Sequence, residues 1–207
     1  MGTDIHGIFQ KKVDNRWEDV ETKFKFNRHY LLFAWLGNVR NGFGFASVRT
    51  HTPIESLSDC RGYPKDFEVA NDTHYVDNIK LLPEYLQEYE KETKDRYDTW
   101  MGDHSHSWVT SEEMLKNISD IILTRTGIIP IENFKQWDGK SQPDTWSGGI
   151  SGRDIEVQVP PDITPTTTHV RIFWEIHLQD EILYFIDEVK RLVELHGEIR
   201  FVFGFDS

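Results

Sequence analysis

The sequence predicts one α+β domain over residues 1–207, with a mixed β-sheet, an N-terminal hairpin, a C-terminal strand-helix-strand unit and long loops around a site. Three observations carry that expectation. Residues 4–13 alternate as a strand does and are followed by Asp14-Asn15-Arg16, a turn sequence, and then by Trp17-Glu18-Asp19-Val20. Residues 180–195 place Ile182, Phe185, Ile186, Val189, Leu192 and Val193 on one helical face. That helix is flanked by apolar runs at 169–176 and 199–205, which read as strands, and a right-handed parallel crossover is the expected connection.

Between these ends the signals vary in strength. Asn27 is placed to cap a short helix from Arg28 to Leu36, apolar nearly all round, with Gly37 placed to end it in a left-handed conformation. Residues 37–64 are rich in Gly, Ser, Thr and Asn, and a loop that long inside a compact domain points to ligand contact. Pro83 opens a helix in which Leu82 and Leu86, then Tyr85 and Tyr89, repeat at four-residue spacing up to Tyr97. Thr110-Ser111-Glu112-Glu113 has the form of a capping box, and Met114, Leu115, Ile118, Ile121 and Ile122 give the helix behind it a core face. Residues 127–165 carry no sustained period and read mostly as loop, with a short strand at 154–159.

Composition narrows the function. A formal net charge of −12 argues against duplex nucleic acid, whose non-specific binding rests on clustered Lys and Arg. No apolar run approaches the roughly 20 residues of a membrane-spanning helix, and the first residues have neither the basic region nor the apolar stretch of a signal peptide. Cys60 is the single cysteine, which suits a reducing compartment, so the expected address is cytoplasmic. No Gly-rich phosphate loop, zinc-knuckle spacing, nucleophile elbow or kinase signature is present.

Three groups of residues could carry chemistry. Asp4 and His6 stand two apart on a strand, so they project from one face, and carboxylate with imidazole suits Mn, Fe, Zn or Ni. The competing reading is a hydrogen-bonded pair on a sheet face. Gly102-Asp103-His104-Ser105-His106-Ser107-Trp108, read as a loop before the capped helix, concentrates carboxylate, imidazole and hydroxyl groups. Here the competing reading is an ordinary capping loop. Arg28, Tyr30, Arg40 and Arg61 form the third group; guanidinium forks suit phosphate or carboxylate, and the aromatics could stack on a base. In a chain with 35 carboxylates those arginines could equally serve only as ion-pair partners. Asp206, beyond the last strand, lies where ligands collect in open α/β sheets, although a solvated terminus explains it equally.

Asp4-Ile5-His6-Gly7 is similar to the Asp-x-His opening of calcineurin-like metallophosphoesterases, but the later Gly-Asp-x-x-Asp and Gly-Asn-His blocks of that family do not occur. A broader likeness rests on Met1-Gly2-Thr3-Asp4-Ile5-His6, Arg61-Gly62-Tyr63-Pro64, His104-Ser105-His106-Ser107-Trp108 and Arg200-Phe201-Val202-Phe203-Gly204-Phe205-Asp206. Together these resemble an uncharacterised family from bacteriophages and bacterial genomes that opens Met-Gly-Cys-Asp-Ile-His. Thr3 stands where that family has cysteine, so no role for a thiol carries over. The resemblance implies a phage or prophage origin, host bacterial cytoplasm, and a role in countering host defence.

The leading expectation is a site for a small anionic, nucleotide-like phosphorylated ligand, acting as a metal-dependent phosphoester hydrolase. In it Asp4, His6 and His104 ligate the metal, Asp103 or His106 acts as base, Arg28 or Arg61 neutralises phosphate, and Tyr30, Arg40, Ser105 and Trp108 line the ligand. Two alternatives belong to other classes: a noncatalytic protein that sequesters a host immune nucleotide signal, and an acidic protein-binding inhibitor of host defence. Membrane and duplex partners are not expected, and a homo-oligomer is left open.

Overall fold

The computed structural model describes residues 2–42, 50–67, 101–102 and 104–206. The helix expected over 83–97, and Asp103, lie outside the described residues. In chain order the described elements are β1 (Asp4–Val13), β2 (Arg16–Val20), α1 (Tyr30–Gly37), β3 (His104–Thr110), α2 (Ser111–Leu115) and a 3-10 turn (Ile118–Asp120). They continue with β4 (Ile122–Pro130), α3 (Ile131–Gln136), β5 (Val157–Gln158), β6 (His169–His177), α4 (Leu178–Glu181), α5 (Leu183–His196) and β7 (Ile199–Asp206). The fold class is α+β with a mixed sheet, as the sequence predicts. The chain divides into two compact units, one of Met1–Arg28, Ser58–Ser111 and Arg191–Ser207, the other of His29–Leu57 and Glu112–Lys190.

The first unit is built on an antiparallel sheet of four strands in the order β2-β1-β7-β3. Asp14 and Asn15 both take positive φ, 45° and 66°, which is the two-residue turn whose twist suits a hairpin. Register then sorts the side chains. Phe9 faces Phe201, Ile5 faces Phe205 and Gly7 faces Phe203, so one face of the sheet is aromatic. Phe9 stacks on Phe201 at 4.5 Å between ring centroids, and Phe201 on Phe203 at 5.3 Å. Each such ring contributes about 1.5–3 kcal/mol by burial alone. The other face receives Asp4, His6, Gln10, Arg200, Gly204 and Asp206, with the Ile8–Val202 pair between its two polar ends.

The second unit carries a three-stranded sheet in the order β4-β6-β5, antiparallel between β4 and β6 and parallel between β5 and β6. Val170, Ile172, Trp174 and Ile176 alternate along β6 and are all buried, which is the period-2 signature of a strand with one face in the core. Residues 31–37 of α1 are buried all round, and Phe185, Ile186 and Val189 bury the matching face of α5.

Several expectations are corrected here. His29, not Asn27, caps α1: its Nδ1 accepts the Leu32 backbone N–H at 3.3 Å. Gly37 is the last helical residue, and Asn38 takes the left-handed position with φ 59°. The helix behind Thr110 lasts only Ser111–Leu115, because Asn117 turns left-handed at φ 55° and Ile122 has already entered β4. Residues 104–108, expected as loop, belong to strand β3, which also takes in Thr110, and β4 runs four residues into the stretch expected to begin the irregular region. The parallel crossover is not formed either. β6 and β7 belong to different sheets, and β7 runs antiparallel to both of its neighbours, so the handedness rule for one sheet does not apply.

The His29 cap makes stability depend on pH. Burial holds the imidazole below the ordinary histidine value, and protonating Nδ1 would remove the acceptor and set a cation at the positive end of the helix. A base with a depressed pKa binds more protons unfolded than folded, so its contribution is complete above roughly pH 6.5 and is lost as pH falls from there through the depressed folded value. In His29→Asn, which keeps an acceptor that does not titrate, thermal midpoints measured from pH 7.5 to 5 should fall less steeply than in the wild type. Equal slopes would assign the pH dependence elsewhere.

Candidate functional site

The polar face of the first unit is assembled around Gly204. A Cβ at that position would collide with the Met101 carbonyl oxygen and stand 2.5 Å from His106 Cδ2, so only glycine lets the Met101–Gly102 backbone cross the sheet there. His6 is the register partner of Gly204 on β1, which sets His6 and His106 on the same face with the glycine between them. His106 reaches that face because the β3–β7 register shifts between His104 and Ser107, with Ser105 at φ 53°. Its Nε2 lies 2.8 Å from the Gly102 carbonyl oxygen. A carbonyl only accepts, so Nε2 carries the proton and Nδ1 is the basic nitrogen of the neutral ring. Tyr63 packs on the same imidazole at 4.8 Å, and burial pushes the Tyr63 hydroxyl up from its usual pKa.

At the end of the strand pair the opening sequence has a physical explanation. Arg28 closes on the Asp4 carboxylate as a fork, Nε to Oδ1 at 2.9 Å and Nη2 to Oδ2 at 2.5 Å. Gly2 lies so close to that guanidinium that a side chain there would displace it. The Arg28 hydrogen bonds hold the Asp4 carboxyl below the usual carboxylate range, against a smaller opposing effect of burial. Asp206 accepts the Asp4 backbone N–H at 3.1 Å with Oδ1, and its Oδ2 lies 3.4 Å from His6 Nε2, an electrostatic contact that aligns the ring.

Further along the face, Arg61 donates to the Trp108 carbonyl oxygen at 3.2 Å and lies 5.6 Å from the Trp108 ring centroid. Gly62 donates its backbone N–H to the His106 carbonyl at 2.9 Å, so residues 61–62 cover the outer edge of β3. Deepest is Arg200, with 3% of its side chain exposed, bonded to Gln10 Oε1 at 2.8 Å and Asp66 Oδ1 at 2.7 Å, its guanidinium 4.4 Å from the Trp17 ring centroid.

The structure therefore brings together Asp4, His6, Arg28 and His106, and places Arg61 and Trp108 on the same face. It does not bring His104 to them. His104 is the register partner of Phe205, stacks beside it at 6.1 Å on the aromatic side, and bonds Ser105 Oγ at 3.0 Å through Nδ1. Tyr30 and Arg40 belong to the second unit, where the Arg40 guanidinium lies 5.8 Å from the Tyr30 ring centroid. Among the described residues no three His, Cys, Asp or Glu side chains are grouped to hold a metal ion. Asp206 is drawn into the cluster more firmly than its terminal position suggests. Arg200 and Trp17 are absent from the candidate site groups, although a lone arginine inside an otherwise apolar strand is the signal that could have found them.

An α+β fold whose sheet has one aromatic and one polar face, the latter bearing carboxylates, histidines and arginines, defines the class of protein to that level. No protein-family model, curated protein or solved structure matches the chain. Among the described residues no helix is long and apolar enough to cross a membrane.

Proposed function

We propose that the polar face around Gly204 binds a small phosphorylated, nucleotide-like ligand. The observation that carries this reading is the gathering of Arg28, Asp4, His6, Asp206 and His106 at one end of one sheet face. Arg28 and Asp4 are about half exposed, and an exposed ion pair is worth only about 0–1 kcal/mol, so a phosphate can take the Arg28 fork from Asp4 at little cost. Trp108 and Arg61 sit four residues further along the sheet, at the level of Val202 rather than Asp206, roughly 13 Å away along the strand. That spacing suits a phosphate at one end of the ligand and a stacked base at the other.

As a hydrolase, the site would use His6, aligned by Asp206, to take a proton from water. The water oxygen attacks phosphorus, the ester P–O bond breaks, and the leaving alkoxide receives the Nδ1 proton of His106, which would enter the step as the imidazolium with Nε2 still held by the Gly102 carbonyl. In a metal-assisted form, with Arg28 turned to the phosphate, Asp4 and His6 would hold a divalent ion (Mn, Fe, Zn or Ni), which would supply polarisation of a phosphoryl oxygen. The closed Arg28–Asp4 fork favours a second reading, a noncatalytic protein that sequesters the ligand. Resemblance to phage proteins supports a setting in which that ligand is a nucleotide signal of host defence.

Calorimetric titration with nucleoside mono-, di- and triphosphates, with inorganic phosphate as reference, tests the proposal. Saturable binding is expected, weakened about tenfold or more in Arg28→Ala by loss of charged hydrogen bonds. Phosphate release that is abolished in His6→Ala with affinity retained would establish the hydrolase; binding without release would establish the sequestering protein. Elemental analysis of the purified protein decides the metal. Absence of binding across the panel would overturn both readings.

A further inference from the structure

The second unit holds a separate row of polar groups. Thr50 bridges to Arg125 on β4, and Arg125 is the register partner of Trp174 on β6, so the three side chains stand side by side on one face of the sheet. Thr50 and Trp174 are 1% and 2% exposed. Thr50 Oγ1, Arg125 Nε and Trp174 Nε1 are all buried, and none has a hydrogen-bond partner among the described residues. One such group costs about 1–3 kcal/mol. Three in a row, left unmet, would consume much of the stability of an ordinary domain, so the row is a place where an acceptor from outside the chain is favoured.

Charge and geometry restrict what that acceptor can be. Glu181 already neutralises Arg125 through one N–H on each terminal nitrogen, at 3.3 and 3.1 Å, and Nε is the buried guanidinium nitrogen left without a partner. An anion at Nε would face no uncompensated cation. Neighbouring side chains in such a row have Cβ atoms about 5 Å apart, too far for one water to serve all of them. Trp146 lies over the row, 5.2 Å from Trp174 and 5.8 Å from the Arg125 guanidinium, and Gly127 is bare where a side chain would strike both indoles. Trp146, at 36% exposed, is the part of this wall open to solvent.

We infer that the Thr50–Arg125–Trp174 row is a binding site for a neutral, planar heterocycle with several carbonyl or ring-nitrogen acceptors, of the nucleobase type, admitted beside Trp146. The inference is independent of the phosphate site proposed for the first unit.

The test uses the full chain with its tryptophans labelled with nitrogen-15, so that each indole N–H is read in a two-dimensional NMR spectrum. Uracil, cytosine, adenine and hypoxanthine are titrated in turn. At least one is expected to give a saturable shift of the Trp174 indole resonance, identified by its loss in Trp174→Phe or, should that variant not fold, by sequential assignment of the wild type. Thr50→Val, isosteric but lacking the hydroxyl, is expected to weaken that base about tenfold while leaving the ligand-free thermal midpoint unchanged or higher. No shift with any base at millimolar concentration would overturn the inference. So would an unaltered affinity or a lowered midpoint in Thr50→Val, since either would mean that the hydroxyl is satisfied without a ligand. Inorganic phosphate is expected to leave the resonance unmoved, and a phosphate-driven shift would overturn the assignment to a neutral ligand.

Discussion

Gly204→Ala is expected to lower stability by about 3 kcal/mol, the upper part of the range for overpacking a well-filled site. The new methyl group would overlap the Met101 carbonyl oxygen, and the obstacle is backbone that cannot rotate aside. Neither partner can readily retreat. β7 is paired along its length with β1 on one side and β3 on the other. Gly102, at φ 89°, is itself pressed against the Phe205 backbone so closely that it too must be glycine. The expected readout is a lower urea midpoint with an unchanged slope. Because His106 Nε2 is held by the Gly102 carbonyl, the same substitution should also shift the NMR resonances of the His106 ring. Gly149→Ala is the control: nothing lies within 4 Å of its Cβ position, and its stability should stay within about 0.5 kcal/mol of the wild type. A Gly204→Ala variant as stable as that control would show that the Met101–Gly102 crossing yields, and with it the rigidity of the proposed site.

The parts of the fold legible in the sequence are those where one physical signal dominates. The β1–β2 turn is written in Asp14-Asn15, residue types that tolerate positive φ, and α5 in a clean apolar stripe. What escaped was decided by tertiary context. Ile118, Ile121 and Ile122 fit the helical period as well as they fit a turn leading into a strand, and the left-handed Asn117 chose the latter. His104-Ser105-His106-Ser107 reads as loop because its side chains are polar, yet the segment pairs with β7, a strand buried from Ile199 to Phe205. The bulge in that strand is what turns His106 toward Gly204 while His104 stays with Phe205. Two histidines two positions apart, which a regular strand would put on one face, thus reach opposite faces because of the bulge. Asp4 and His6 share a face as their spacing requires. Their neighbour across the sheet, Asp206, is some 200 positions away in sequence, and only strand pairing could supply it.

Arg200 and Asp66 supply the other large effect, and the exposed partner is expected to matter more than the buried one. Asp66→Asn keeps an acceptor near Arg200 Nη1 but removes the countercharge from a guanidinium that is almost fully enclosed. Leaving a buried charge uncompensated costs roughly 3–5 kcal/mol; the Asp66 side chain is 58% exposed, so a value near the lower end, about 3 kcal/mol, is expected. Arg200→Met removes the charge together with its desolvation cost. It leaves Asp66 free to hydrate and Gln10 Oε1 as the main unsatisfied group, at about 1–2 kcal/mol. The double variant should then be more stable than Asp66→Asn alone, a coupling that a cycle of urea unfolding curves measures directly. The pH dependence has a definite sign. The hydrogen bond from Arg200 holds the Asp66 carboxyl below its usual value, so the pair contributes fully above the ordinary carboxylate pKa and its contribution is lost as pH falls through the depressed one. Asp66→Asn imitates the protonated state and should flatten the acid limb of the stability curve below about pH 4. If Arg200→Met proved the more damaging variant, the cluster would owe its stability to the packing of the guanidinium on Trp17 and not to the countercharge.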